Sequence, residues 1–403
     1  VASISTEAPK QAHEYNKNFE AGKTYTRAEL LKMGREFLFE WIVNELTTAE
    51  ADMLPAEPET DGDENYGRAD KAAAWILLSR LYLNAGTYLN GDGQNNPYWK
   101  EAKDYAEKVI NSNYSLFTAD KMTQTAKDNG YKAYDLLFMG DNGSTSAAQE
   151  GVWRIYQDGV STTSWAGSLF LMASTFDGNI HADCSGTYPT ATNGTGQTWG
   201  GNRARKDLVE KFFPNDDAPN VACTDMPAAA GDDRAIFDGL GRTLDNGDGT
   251  KGSFTDGFAV AKFNNFKTDN SVGKDANFPE TDFFLFRVAE AYLTYAEATA
   301  RMNGGATTAE GTAAINALRA RAHASQRTGY SLSDICDEWS REFYFEGLRR
   351  PTLIRFGRFG GNNNYNWSYK GGVKNGRNFD AKRNIFAIPA AQVTGAITQN
   401  PGY

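Results

Sequence analysis

The stretch Gly67–Gly86, GRADKAAAWILLSRLYLNAG, limits what this chain can fold into more than any other. Ala, Leu and Arg are strong helix formers and no proline interrupts the run, so it predicts one long helix over Arg68–Tyr88. Its polar residues (Asp70, Lys71, Ser79, Arg80 and Asn84) do not share a stripe. Trp75, Leu78 and Tyr82 would line one face, and Ala74, Leu77 and Leu81 another. A helix apolar on several sides is buried among other elements. Ala72, Ala73 and Ala74 would let a neighbouring backbone approach closely, and Gly86 is placed to end the helix.

A partner helix is expected over Tyr98–Asn111, YWKEAKDYAEKVIN. Trp99, Ala102, Ala106 and Val109 form its apolar stripe, and Lys100–Asp104 and Asp104–Lys108 are spaced to pair on the wet side. A buried helix followed by an amphipathic one, with small residues between them, is the pattern of a tetratricopeptide repeat. The wording is more particular than that pattern. Gly67-Arg68-Ala69 leading to LLSRLYLNAG resembles the SusD/RagB family, the glycan-binding outer-membrane lipoproteins of Bacteroidetes.

Composition excludes several classes. The 403 residues carry 41 Lys and Arg against 51 Asp and Glu, a formal charge of −10, so there is no basic balance for tracking a nucleic-acid backbone. The same balance argues against an anionic ligand. No stretch approaches the roughly 20 apolar residues of a membrane span. Cys184, Cys223 and Cys336 have no CxxC spacing. They leave open one disulfide with a free thiol or three unpaired thiols, and the second is the plainer expectation.

Along the chain, residues 1 to 25 are polar and irregular. Arg27–Met53 reads as a helix with Phe37, Trp41 and Leu46 on its buried side and Phe39 and Val43 on a broader apolar surface. Leu136-Leu137-Phe138-Met139 reads as a short buried segment. From 151 to 282 helical periodicity fades and Gly, Asn, Asp, Ser and Thr dominate. Within that stretch a helix is expected over Arg203–Phe213, and Phe254–Phe266 reads as a strand run broken by Gly257. Periodicity returns at Phe283–Met302, read as a helix ended by Gly304-Gly305, with a partner over Ala309–His323. A further long helix is expected from Leu332 to Arg349, opened by a Ser331/Asp334 capping box, with Ile335, Trp339 and Phe343 as its core stripe. Glu338/Arg341 and Glu346/Arg349 are placed to pair at i,i+3. Residues 356 to 380 are Gly/Asn/aromatic loop.

Further stretches carry the resemblance. AEAYLTYAEA (Ala289–Ala298), EWSREFYFEGLRRPTLIRFG (Glu338–Gly357), FTDGFAVAKF, FAIPAAQV and TQNPGY are similar to the family's wording, with Ser340 and Pro351-Thr352 as departures. The resemblance implies a mostly α fold of tetratricopeptide-like helical repeats with a long loop-rich insertion carrying short strands. It implies a single domain over 1–403, with the helical scaffold in 26–150 and 283–350 and the ligand-binding excursion in 151–282. It also implies a lipidation cysteine and one more helix pair ahead of the segment matching Arg27. Neither stands in the sequence given, so a longer gene product is expected. Location is then the extracellular face of the outer membrane, with membrane contact only through that lipid anchor. The implied partners are an oligosaccharide, starch-like α-glucan being the first guess, and a SusC-like TonB-dependent transporter.

Catalytic motifs are missing: there is no GxSxG elbow, HExxH or P-loop. His13, His181 and His323 share no ligand spacing, so no metal site is expected from them. Asp232-Asp233 and Glu338/Glu342 are carboxylate pairs of the kind a glycosidase needs. Adjacent residues usually point apart, and the helical glutamates sit beside Arg341 and Arg349, so structural ion pairs explain them better. The acidic turns Asp245–Thr250 and Asn90–Gly93 lack the twelve-residue spacing and terminal Glu of a calcium loop, and ordinary turns are expected. No catalytic residue and no cofactor is expected.

Several aromatics lie outside the helices: Trp165, Tyr188, Trp199, Tyr365, Trp367 and Tyr369. A flat ring covers the C–H face of a sugar while polar groups take its hydroxyls. Packing under its own loop is the plainer expectation for any single one. Two do better. QDGVSTTSWAGS (Gln157–Ser168) and GQTWGGNRARKDLVEKFF (Gly196–Phe213) are similar to segments of the family's starch-binding member. The resemblance implies that Trp165 and Trp199 belong to the sugar site and that Arg205, six residues after Trp199, matches an arginine there. Two other readings stay open, a helical-repeat scaffold that grips a protein partner and, more weakly, a glycoside hydrolase.

Overall fold

The computed structural model describes residues 18–20, 22–177, 180–181, 193–247, 253–394 and 397–403. His13, Cys184, Tyr188, Asp248, Gly249 and Thr250 lie outside them. Among the described residues twelve helices and four short strands alternate with long irregular segments.

The scaffold is helical. α1 spans Arg27–Ala49, α2 Lys71–Leu83, α3 Ala85–Asn90 and α4 Trp99–Ile110. Later in the chain come α9 (Val288–Met302), α10 (Ala309–Arg321), α11 (Leu332–Phe343) and α12 (Arg349–Arg355). α9 is the hub, packing against α4, α10, α11 and α2. Its Ala289, Ala291, Ala296, Ala298 and Ala300 are buried, and such short side chains let several neighbours close on one helix.

The long helix expected over Arg68–Tyr88 is two helices. Asp70 caps α2, its Oδ1 accepting from Ala73 N at 3.1 Å, and the chain breaks at Asn84 before α3. Gly86 does not end the helix. It lies inside α3, where a Cβ would stand 2.5 Å from Asp92 O and 2.7 Å from Asn95 O, and the left-handed Gly91 makes the stop. Leu77 is exposed although its neighbours Ile76 and Leu78 are buried. On α1 the buried aromatic is Phe39, whereas Trp41 is 51% exposed. Of the two pairs expected on α4, Lys100–Asp104 forms at 2.5 Å, but Lys108 pairs with Glu50 at 3.1 Å instead of Asp104.

Two other expected helices are also interrupted. Phe283–Arg287 is a strand, β4, antiparallel to β1 (Gly151–Ile155). A short apolar run reads equally as strand or helix until a partner is found. This pair closes the base of the excursion, bringing Gly151 opposite Arg287 and Ile155 opposite Phe283. The Leu332–Arg349 helix stops at Phe343, because Phe345 and Gly347 take positive φ of 62° and 82°. That turn carries Glu346 to Arg287 and Lys262 in place of Arg349. Arg349 donates to Cys336 O and Tyr365 Oη, both at 2.8 Å. The Ser331/Asp334 capping box, the Ile335, Trp339 and Phe343 stripe, and the Glu338–Arg341 pair are present as expected.

In the excursion only Lys206–Val209 (α7) of the expected Arg203–Phe213 helix is α-helical, and only Ala259–Val260 (β3) of Phe254–Phe266 is strand, paired with β2 (Phe237–Asp238). Leu136, Leu137, Phe138 and Met139 are buried. Cys223 is disulfide-bonded and Cys336 is a buried free thiol, which corrects the expectation of three unpaired cysteines.

Candidate functional site

Glu338 and Glu342, the helical carboxylate pair read from the sequence, are committed to the interior. Glu342 meets Arg287, Arg321 and Arg234 at 3.0, 2.5 and 3.1 Å. Glu338 meets Arg234, Arg319 and Arg341 at 2.8, 2.9 and 2.8 Å. Burial by itself would raise the Glu338 carboxyl, but the facing arginines hold it down to about 2. Such a group is a permanent anion and a poor proton donor near neutrality. Asp232 pairs with Arg234, and Asp233 with the His323 ring. His181 lies against Asp238. No cluster of three metal-ligating side chains occurs among the described residues. Asp92 Oδ1 accepts from Gln94 N, and Asp245 pairs with Lys374.

Trp165 and Trp199 come together although 34 residues separate them. Their ring centroids are 6.3 Å apart with planes inclined by 34°, and they are 59% and 40% exposed. The loop before Trp165 is shaped by Asp158, whose Oδ1 accepts from the backbone of Val160, Ser161 and Thr162 at 2.7–2.9 Å. Those amides hold its carboxyl well below the usual range. Then α6 (Gly167–Ala173) buries Leu169, Met172 and Ala173, which turns Phe170 outward. The end of α6 orders the second tryptophan. Trp199 N donates to Ala173 O and Asn202 N to Ser174 O, both at 2.8 Å, while Gly200 N reaches Phe176 O at 2.8 Å. Gly200 and Gly201 have φ of 64° and 97°, and this local path suits glycine.

Two further aromatics join the pair. Phe170, 48% exposed, lies 6.5 Å from Trp199, and Phe278 meets Trp165 edge-on at 5.1 Å. Gln197 fixes the Trp199 indole, accepting from Nε1 at 2.9 Å and donating to Asn277 Oδ1 at 2.7 Å. The sequence reading missed all four supports. Phe170 was legible, since its helix buries the opposite side. Phe278 and Asn277 carry no local signal, because they arrive from a distant loop.

Arg205 stands elsewhere. It caps the start of α7, donates to Ser368 O and lies 6.0 Å from the Tyr369 ring. No contact joins it to the tryptophan pair among the described residues. Tyr365 accepts from Arg349, and Trp367 stacks on Phe359 at 5.8 Å, so both pack under their own loop.

The sequence pattern of the SusD family matches residues 240–403. The starch-binding protein SusD of Bacteroides thetaiotaomicron is 37% identical over 406 residues, covering 92% of this chain. The chain belongs to the SusD family. It spans 66% of the length of that relative. Solved structures agree in fold. Surface glycan-binding protein A of Bacteroides thetaiotaomicron, in complex with laminarihexaose, matches with a TM-score of 0.58 at 18% identity, over 99% of this chain and 74% of the other. A SusD superfamily protein of Bacteroides vulgatus matches with a TM-score of 0.57 at 19% identity, over 93% and 66%. The expected SusD-like helical fold is thereby shown.

Proposed function

We propose that this SusD-family chain captures oligosaccharides at the outer-membrane surface, with Trp165 and Trp199 as its platform. The observation that carries this is the exposed, tilted indole pair, held from below by backbone hydrogen bonds rather than folded into a core. Exposed aromatic surface in one patch is costly to keep in water unless something covers it. The C–H face of a sugar ring supplies such a cover while leaving its hydroxyls wet. Two planes at 34° favour a curved chain over a flat one, which supports an α-glucan of the starch type as ligand. Both tryptophans lie in the excursion 151–282, on a base closed by β1 and β4 against the helical scaffold. Arg205 belongs to this proposal only as a group acting through the 368–369 loop.

In this reading the chain captures without cleaving, and Glu338 and Glu342, the helical pair a hydrolase could have used, are consumed in ion pairs. Delivery falls to a partner, a SusC-like TonB-dependent barrel over which this protein closes. Two surfaces sharing one ligand need only modest affinity each. No helix among the described residues is long and apolar enough to cross a membrane. Incubation with an oligosaccharide panel tests the reading. Retention of intact sugar supports it, release of shorter products favours a hydrolase, and indifference to all sugars together with protein binding favours a scaffold. Co-purification with an outer-membrane barrel from cells grown on the retained glycan tests the partner, and recovery of the lone protein contradicts it.

A further inference from the structure

A concavity lies far along the chain from the tryptophan pair. It is open to solvent and holds about 870 Å³ between α12, residues 371–387 and Tyr403. That volume is in the range of small-ligand sites. Its walls include Phe359, Phe386 and Tyr403, with Phe386 60% exposed. Arg350, Arg377 and Arg383 also line it.

These arginines differ from those of the buried ion-pair network. Arg234, Arg287, Arg321 and Arg355 each meet a carboxylate. None of the three in the concavity forms an ion pair among the described residues, and no Asp or Glu lines the space. Among the described residues their hydrogen bonds use few of their donors: Arg350 Nη2 reaches Arg383 O at 2.8 Å, and Arg377 Nε reaches Gly371 O at 3.1 Å. Stacking holds two of the guanidinium groups in place. Arg350 lies 3.7 Å from the Phe386 centroid and 5.0 Å from that of Phe359, and Arg383 lies 5.7 Å from that of Tyr403. An aromatic seat orders a guanidinium without neutralising it. Its forked donors then match a planar carboxylate in a two-point contact. The overall charge of −10 hides this local excess, because composition averages over the surface.

We propose that this concavity is a second saccharide site, separate from the tryptophan platform, that takes a sugar unit bearing a carboxylate. The aromatic walls take the ring and the arginines take the acid. The proposal rests on the glycan-binding reading for the class of ligand, but it uses none of the same residues.

Trigalacturonate is the test ligand, with maltotriose as the neutral counterpart, both titrated calorimetrically into the chain at low and moderate salt. The expected result is binding of trigalacturonate that weakens with salt and falls at least tenfold in both Arg350→Met and Arg383→Met. It stays unchanged in Trp165→Ala. Arg377→Gln, at an exposed position, should weaken binding at an unaltered melting temperature, which separates ligand contact from misfolding. Wild-type protein that does not bind trigalacturonate overturns the proposal whatever it does with maltotriose, as does binding that all three arginine variants leave intact. Arginine variants that lose an outer-membrane barrel partner, in a chain indifferent to trigalacturonate, also overturn it and make the concavity a protein-docking surface. Loss of neutral-glycan binding in Trp165→Ala reports on the tryptophan platform alone.

Discussion

Arg287 Nη1 donates to Glu342 Oε1 at 3.0 Å with both side chains wholly buried, and this contact joins the base of the excursion to the helical scaffold. Arg287 ends β4 and Glu342 lies on α11. Around them Arg321 shares Glu150 and Glu342, and Lys262 shares Glu346. Buried pairs of this kind need not stabilise relative to an apolar core, but removing one member strands the rest. Glu342→Gln should therefore lower stability by about 3–5 kcal/mol, read as a shift in the urea midpoint at pH 7. A shift under about 1 kcal/mol would mean that the arginines find other acceptors.

Asp282 sets a pH dependence. Its carboxyl accepts from Tyr66 Oη and from Gln157 N, at 2.8 Å for the latter, and burial pushes it up to about 6 from 3.8. The folded state thus favours the protonated acid. That contribution is fully present below about 3.8 and is lost as pH rises through about 6. Its size is about 3 kcal/mol. Glu338 works in the other direction and in another window, since its stabilisation is lost as pH falls from 4.5 toward about 2. Asp282→Asn should flatten the decline in unfolding free energy between pH 4.5 and 7. A variant with the full wild-type slope contradicts the assignment.

Gly86→Ala should destabilise by about 1–3 kcal/mol, as overpacking does. The obstacles at 2.5 and 2.7 Å are backbone oxygens, which cannot swing aside as a side chain can. A melting temperature equal to wild type would show that the 92–95 loop gives way.

Much of this was legible in the sequence, for physical reasons that differ by element. α4 follows its apolar periodicity and the start of α11 its capping box and core stripe, because such local signals need no distant information. Where a helix stops was less legible. The breaks at Asn84 and Phe345 depend on what the next residues reach, Arg355 from Asn84 Oδ1 and the Arg287 cluster from Glu346. Phe283–Arg287 becomes a strand only because Gly151–Ile155 lies beside it. The organising helix proved to be α9 rather than α2, a fact of packing that no single stretch records. At the candidate site, the family resemblance supplied Trp165 and Trp199. Their meeting depends on backbone bonds between residues 173–176 and 199–202, and Arg205 was drawn to another loop.

Replacing Trp165 or Trp199 singly by Ala should weaken oligosaccharide binding by about 1–3 kcal/mol, the scale of a large side chain's lost burial. Their exposure means that folding loses little.

The most direct measurement is native affinity electrophoresis of the wild type and of the double variant Trp165→Ala/Trp199→Ala, in gels containing amylopectin, laminarin or xyloglucan. The account predicts that the wild type is retarded by at least one polysaccharide, amylopectin foremost, and that the double variant runs as in a sugar-free gel while melting at the wild-type temperature. A wild type that no polysaccharide retards, or a double variant retarded as strongly as the wild type, would contradict it.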